Sequence, residues 1–285
     1  MFNSALGGEM RSPAAIAVRS LVYNVSFYLS LIVLMILGLP ALLFGRRGVF
    51  FMARTWGEWS MLMLRVLCGL RVEYRGLENI PKGGYIIAAK HESFLETFAL
   101  LRHSPDFAII LKKQLIFIPL FGLYLIVSKQ ISIDRARGRS ALSQIVAKAG
   151  GVLRAGRQVY IYPEGTRRPP GAPPAYKYGV AALYAGNDSP CVPVALNTGL
   201  YWGRRGFLRR PGAAVIEYLP PIPPGLPREV FAQRLQETIE TACARLYAEA
   251  VAADPTLAPV LAAGRATLED RPSVPLQPLR RPRGP

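Results

Sequence analysis

Apolar and polar positions follow three patterns along this chain. From Leu21 to Phe44, 24 residues pass without a charge, about 36 Å as a helix and enough to cross a bilayer core. The run is too long for a signal peptide and has no clear small-residue cleavage site after it. From Val49 to Leu70 the pattern is amphipathic: Arg54, Glu58 and Arg65 recur at i, i+4 and i+11 on one narrow face. Phe50, Phe51, Trp59, Leu62 and Met63 fill the remainder, the profile of a helix lying in a membrane interface. Arg11 and Arg19 precede the first segment and Arg46 and Arg47 follow it. That charge distribution suits a membrane-anchoring helical hairpin with both ends on the cytoplasmic side, and Pro40 permits the turn.

From Arg71 onward, short apolar runs alternate with helical periodicities. The runs predict strands at Val72–Arg75, Tyr85–Ala89, Phe107–Leu111, Gln130–Ile133, Gln158–Tyr162, Val192–Leu196 and Ala213–Leu219. Helices are predicted at Phe94–Arg102, Arg139–Ala155, Lys177–Ala185 and Arg228–Ala253. Such alternation specifies an α/β fold, a central mostly parallel sheet wrapped by helices. Leu115–Val127 is apolar but broken by Pro119 and Gly122; too short to span, it is either core or a membrane-dipping loop. The Pro/Gly-rich stretch Arg167–Pro174 reads as an exposed loop. Three regions result: membrane-anchoring helices over 1–70, an α/β domain over 71–262, and a basic Pro/Arg-rich tail over 263–285 predicted to be disordered.

Composition narrows the class of function. The 285 residues are 51% hydrophobic with mean hydropathy +0.22, too apolar for an ordinary soluble enzyme. A net charge of +17 calls for an anionic partner; combined with the long uncharged run, it points to an anionic membrane surface and not to nucleic acid. Cys68, Cys191 and Cys243 form neither a disulfide framework nor a zinc spacing, which fits a reducing compartment. With two histidines and no clustered acids, no metal site is expected.

The densest candidate chemistry lies in Tyr85-Ile-Ile-Ala-Ala-Lys-His91-Glu-Ser-Phe-Leu-Glu96. The apolar run delivers His91 to a strand-to-helix turn, where open α/β sheets place their ligands. Glu96 can fix the tautomer of His91 and stabilise the charge it gains as a general base. An alternative uses the same residues structurally: Ser93 caps the helix and Glu96 reaches back to the serine amide as a capping box. Glu92, adjacent to the histidine, is expected to point elsewhere, and His103 to be a surface histidine.

Three later segments accompany it in order: Ile131-Ser-Ile-Asp134-Arg135, Val159-Tyr-Ile-Tyr-Pro163-Glu164-Gly165-Thr166-Arg167 and Cys191-Val-Pro193-Val-Ala-Leu. Together the four segments resemble the ordered motifs of the glycerolipid acyltransferases, nearest to the 1-acyl-sn-glycerol-3-phosphate acyltransferases. The family's H-x-x-x-x-D reads His91 to Glu96 here, one methylene longer, and its F-P-E-G-T-R reads Tyr162 to Arg167. Lys112-Lys-Gln-Leu-Ile-Phe-Ile-Pro119-Leu-Phe-Gly122 resembles the segment the family carries between its first two motifs. The resemblance covers roughly residues 70 to 220.

The resemblance implies His91 and Glu96 as catalytic residues, and Arg135 with Glu164, Gly165, Thr166 and Arg167 as binders of the glycerol phosphate. Glu164 is expected to face a hydroxyl or the cation of Arg135 or Arg167; Lys112 and Lys177 extend the anion site. The expected reaction moves a fatty acyl group from acyl-CoA or acyl-carrier protein to the sn-2 hydroxyl of 1-acylglycerol 3-phosphate (lysophosphatidic acid), forming phosphatidic acid. No cofactor beyond the acyl donor is expected, and the expected location is the cell inner membrane with the site facing the cytoplasm. Another acceptor (a lysophospholipid, glycerol 3-phosphate or an acylated amino acid) is the nearest alternative. A non-catalytic basic membrane-binding protein is the alternative of another class, and it has no use for His91 and Glu96 in such a turn.

Overall fold

The structure, a computed structural model, describes residues 12–134 and 139–266. Its helices and strands follow one another as α1 (Pro13–Leu37), α2 (Gly45–Cys68), β1 (Leu70–Arg75), β2 (Ile86–Ala89), α3 (Leu95–Ala99), β3 (Phe107–Lys112), α4 (Phe121–Val127), β4 (Ile131–Ile133), α5 (Arg139–Arg154), β5 (Gln158–Ile161), α6 (Tyr178–Ala185), β6 (Cys191–Leu196), α7 (Thr198–Tyr201), β7 (Gly212–Tyr218), α8 (Arg228–Ala253) and α9 (Ala258–Ala266). The seven strands form one sheet in the order β1-β7-β6-β2-β5-β3-β4. Every neighbouring pair is parallel except β6 with β7. This is the expected mostly parallel α/β sheet, and each strand lies within two residues of its predicted bounds.

Parallel strands covered on both faces read as continuous apolar runs. β2 and β6 show this in full, with every residue buried. β2 sits between β6 and β5 at the centre of the sheet, with Ala88 beside both Pro193 and Ile161. The motif segments consequently leave adjacent strands at one edge: His91 after β2, Pro163–Arg167 after β5, Lys112 at the end of β3 and Asp134 after β4. Asn197 and Thr198 leave β6 on the same side, because β6 runs parallel to β2. Carboxyl ends of parallel strands are where such sheets bind their ligands.

The N-terminal helices differ from the predicted ones. α1 starts at Pro13, where Ser12 Oγ accepts the Ala15 amide at 3.2 Å, and ends at Leu37 instead of running to Phe44. The residue before a proline is biased away from helix, so Pro40 helps end α1 ahead of Leu39. The chain continues as a 3-10 helix over Leu39–Phe44, and α1 and α2 pack on each other. A side chain could not replace Gly38 at that bend, since a Cβ would lie 2.6 Å from the Leu34 carbonyl and 2.7 Å from Met52 Cε. α1 is the described helix long and apolar enough to cross a membrane.

α2 departs further from the interface-helix reading, because its polar face does not meet solvent alone. Arg54 donates to the Ser104 carbonyl at 2.9 Å and to that of Pro105, and Glu58 pairs with Arg102 at 3.3 Å. At its start, Arg46 pairs with Asp106 at 3.0 Å. Phe50, Trp56 and Leu64 are buried while Phe51, Leu62 and Val66 are exposed. From α1, Tyr23 and Phe27 enter the same buried cluster as the sheet residues. Phe27 contacts Trp56, Phe94, Phe98 and Trp202 through ring centroids 4.8 to 5.8 Å apart. Val18, Leu21, Val25, Tyr28 and Leu29 on the rest of α1 are exposed.

Leu115–Val127 is part core and part surface. Tyr124 is buried, its hydroxyl donating to the Met35 carbonyl at 2.7 Å, whereas Phe117 and Ile126 are exposed. His103 is not a surface histidine: it is half-buried, edge-on to Tyr74 at 4.6 Å, and burial lowers its pKa. The helix after His91 is shorter than predicted, with Leu100–His103 tightened into 3-10 geometry. The final helix α9 runs to Ala266, into the predicted 263–285 tail; the rest of that tail, from 267 on, lies outside the described residues.

Candidate active site

His91 leaves β2 one residue after Lys90, whose amide still donates to the Val194 carbonyl at 3.0 Å. The imidazole stacks on Tyr162 at 3.9 Å between centroids and 18° between planes. This contact follows from register: Ala88 pairs with Ile161, so the two chains leave the sheet side by side. His91 Nδ1 lies 2.8 Å from Glu96 Oε1. A carboxylate only accepts, so Nδ1 carries the hydrogen and Nε2 presents its lone pair.

Glu96 is fully buried and bound on both oxygens. Oε1 also accepts the amides of Glu92 at 2.9 Å and Ser93 at 2.8 Å. Oε2 accepts the Thr198 hydroxyl at 2.7 Å. The two readings of this turn therefore coexist: the carboxylate reaches back to the Ser93 amide as a capping box requires, and its same oxygen faces the histidine. Ser93 departs from the box in one detail, its hydroxyl accepting from Leu95 N at 3.1 Å, two residues on and not three. Glu92 points elsewhere, as expected. Its carboxyl accepts the Gly199 amide at 3.0 Å and the Tyr247 hydroxyl, and burial pushes its pKa up to about 8.

After β5, Tyr162 to Gly165 turn back, the Gly165 amide donating to the Tyr162 carbonyl at 2.8 Å. Gly165 has φ +66°, a conformation that glycine adopts at no steric cost. Arg168 N donates to the His91 carbonyl at 2.8 Å, tying this loop to the histidine turn. The Arg167 guanidinium lies 5.5 Å over the Phe94 ring.

His91, Gly165, Thr166, Arg167, Lys112 and Lys177 all line one cavity of about 910 Å³. Arg204 and Arg205 stand on the same wall, and Arg204 donates to the Arg167 carbonyl at 3.0 Å. Most of the remainder is apolar, built from Leu31, Trp56, Phe98, Phe107, Tyr124 and Ile145 among others, with Thr97, Ser128 and Gln130 as further polar members. Cationic side chains and His91 thus share one cavity with a mainly apolar lining, drawn from α1, α2 and α4 as well as from the sheet. Such a space fits a ligand with an anionic head and a long apolar chain.

Of the other expected residues, Glu96 stands behind His91 and does not itself line the cavity. Glu164 does not line the cavity; its carboxylate is buried, with Lys90 Nζ at 3.2 Å and Arg168 Nε at 3.4 Å from Oε1. Among the described residues its cations are therefore Lys90 and Arg168 and not Arg167, which lines the cavity instead. Arg135 lies outside the described residues. Thr198, Arg204 and Arg205 went unrecognised in the sequence. A polar Asn-Thr pair directly after a fully apolar strand was the one signal available for Thr198.

The cysteines do not supply a nucleophile. All three are buried, and burial raises their pKa, to about 11 at Cys68 and further at Cys191 and Cys243. A thiol held protonated is unreactive.

Comparison with known proteins follows the same lines. Residues 71–197 match the Acyltransferase family model. The chain is 38% identical over 162 residues to the 1-acyl-sn-glycerol-3-phosphate acyltransferase of Pseudomonas aeruginosa, covering 57% of this chain and 63% of that protein. It is 28% identical over 166 residues to the mouse 1-acyl-sn-glycerol-3-phosphate acyltransferase alpha, covering 57% and 58%. The matches thus span less than two thirds of these relatives. The crystal structure of PlsC, the 1-acyl-sn-glycerophosphate acyltransferase of Thermotoga maritima, superposes with a TM-score of 0.68 over 80% of this chain and 96% of that one, at 23% identity; it shares the fold. Residues 71–197, which carry the four ordered motifs, are thus similar in sequence to the Acyltransferase family.

Proposed function

We propose that this chain is a membrane-associated acyltransferase that esterifies the sn-2 hydroxyl of 1-acylglycerol 3-phosphate to form phosphatidic acid. The observation that carries the reading is the His91–Glu96 pair, with His91 lining a mainly apolar cavity of about 910 Å³ that also holds cationic side chains. The acceptor's phosphate would lie against Arg167, Lys177 and Lys112, with Arg135 joining them as the family resemblance implies. Its acyl chain, or the donor's, would lie along the apolar lining.

His91 Nε2 takes the proton of the acceptor hydroxyl as the oxygen attacks the thioester carbonyl. The new C–O bond forms, the C–S bond breaks, and the departing thiolate takes the proton from the imidazolium. Glu96 stabilises that imidazolium while it exists; a positioned base contributes about 10²- to 10⁴-fold in rate. Ser93 is engaged with Leu95 N and the cysteines are held as thiols, so a single-step transfer without an acyl-enzyme is the simplest course.

The donor is an acyl thioester, acyl-CoA or acyl-carrier protein, and no further cofactor takes part. The exposed apolar side of α1, with Phe51, Phe117 and Ile126, would enter the lipid of the inner membrane from the cytoplasmic side. The test is to incubate purified protein with radiolabelled acyl-CoA or acyl-carrier protein and a panel of lyso acceptors. Labelled phosphatidic acid from 1-acylglycerol 3-phosphate, abolished in His91→Ala, is expected. Label appearing only on a lysophospholipid, glycerol 3-phosphate or an acylated amino acid would reassign the acceptor, and no transfer at all would leave a membrane-binding protein without this activity.

A further inference from the structure

A second ion cluster lies on the far side of the loop that carries the cavity's cations. Lys90 Nζ sits between Glu164 Oε1 at 3.2 Å and Glu240 Oε1 at 2.7 Å, and the Lys90 and Glu164 side chains are each only 1% exposed. Tyr176 donates its hydroxyl to the same Glu240 oxygen at 2.9 Å, and the Ala175 amide donates to Glu164 Oε1 at 3.4 Å. Both ends of the loop are thereby held from beneath. Gly165, Thr166 and Arg167 lie between Glu164 and Arg168, and Lys177 follows Tyr176. Burial disfavours the lysine ammonium, but the two carboxylates outweigh it and hold Lys90 charged.

Buried ion pairs add little net stability relative to apolar packing, and no member of this cluster lines the cavity. Its effect is on position. Lys90 is joined covalently to His91, and Glu240 belongs to α8, so the cluster fixes the loop relative to both the base and the scaffold. We infer that Lys90, Glu164, Glu240 and Tyr176 form a positioning clamp that sets the affinity of the loop for the acceptor phosphate. The inference rests on the acyltransferase reading for its kinetic consequence, but the clamp itself is a property of the loop.

The test uses the full chain carrying Lys90→Met with Glu240→Gln, which removes one charge of each sign and leaves Glu164 paired with Arg168. Two quantities are read: amide hydrogen exchange over 163–177, and kinetics with 1-acylglycerol 3-phosphate. The double variant should exchange faster in that segment alone. Its KM for the acceptor should rise about tenfold, the loss from one misplaced charge-assisted contact, with kcat and the KM for the acyl donor within about twofold. Tyr176→Phe, which keeps all four charges, should shift both readouts less and in the same direction. Glu240→Asp should recover part of the affinity in the Lys90 background.

Unchanged exchange, or an unchanged acceptor KM in an active, folded variant, overturns the clamp. Should the double variant not fold, unaltered exchange and KM in Tyr176→Phe overturn it equally. An exchange effect in a protein whose wild type transfers no acyl group would instead refute the acyltransferase reading and leave the clamp standing.

Discussion

Two buried carboxylate centres flank the end of β2, and they are wired in opposite ways. Glu96 receives two backbone amides, a threonine hydroxyl and an imidazole N–H, with no cation among these donors. Glu164 and Glu240, by contrast, face Lys90 and Arg168, two negative charges against two positive. The difference decides what each centre can do. A carboxylate held by neutral donors keeps a full charge to offer an imidazolium that forms beside it. A carboxylate neutralised by ammonium and guanidinium has no such charge left and serves to hold elements together. One centre is built for a charge that comes and goes, the other for a geometry that stays.

That contrast can be broken by substitution, and the largest effect should come from the base itself. His91→Ala should lower turnover by about 10²- to 10⁴-fold while circular dichroism and the melting temperature stay near wild type. An active His91→Ala protein would remove the first centre from the chemistry. Arg167→Ala comes next: loss of a charge-assisted phosphate contact should weaken use of the acceptor about ten- to a hundredfold, read as kcat/KM for 1-acylglycerol 3-phosphate with the donor held saturating.

Thr198→Val tests whether a neutral donor matters to the first centre. It removes one hydrogen bond from Glu96 Oε2 and should cost about tenfold in kcat, with acceptor KM unchanged; Thr198→Ser should restore most of it. Loss of KM alone would place Thr198 with the substrate loop instead.

The smallest effect is thermodynamic and concerns Glu92, the other carboxylate of the His91 turn. Burial raises its pKa from 4.5 to about 8, so the folded protein holds a proton that the unfolded chain releases above pH 4.5. Its contribution to stability is complete below that value and is lost as pH rises through about 8. Denaturant unfolding at pH 5 and pH 8.5 should show lower stability at the higher pH, and Glu92→Gln should flatten the difference. An equal slope in the variant would assign the pH dependence to another group.

How much of this could be read from the sequence depends on the range of the interaction. The strands were legible because buried parallel strands leave unbroken apolar runs, as Ile86–Ala89 and Cys191–Leu196 do. The His91–Glu96 pairing was legible because both residues share one turn. Neither the Thr198 contact to Glu96, across 102 residues, nor the Lys90 pairing with Glu240, across 150, leaves any local pattern. α2 shows the limit of periodicity: it separates a polar from an apolar face but does not say what each meets. Here the polar face meets backbone carbonyls at Ser104 and Pro105. Glu164 was misdirected for a related reason, since a motif gives the order of residues along a loop and not the side to which each points.

The claim that Glu96 serves His91, and not the helix end alone, is tested most directly by kcat of Glu96→Gln. Glutamine still accepts the Ser93 amide, so the turn and the fold should persist, as an unchanged melting temperature would verify. Without the negative charge, kcat should fall at least about tenfold, by less than in His91→Ala, with the acceptor KM little changed, and Glu96→Asp should retain substantial activity. Full wild-type turnover in a folded Glu96→Gln protein would contradict the account, leaving the carboxylate a helix cap and His91 without its partner.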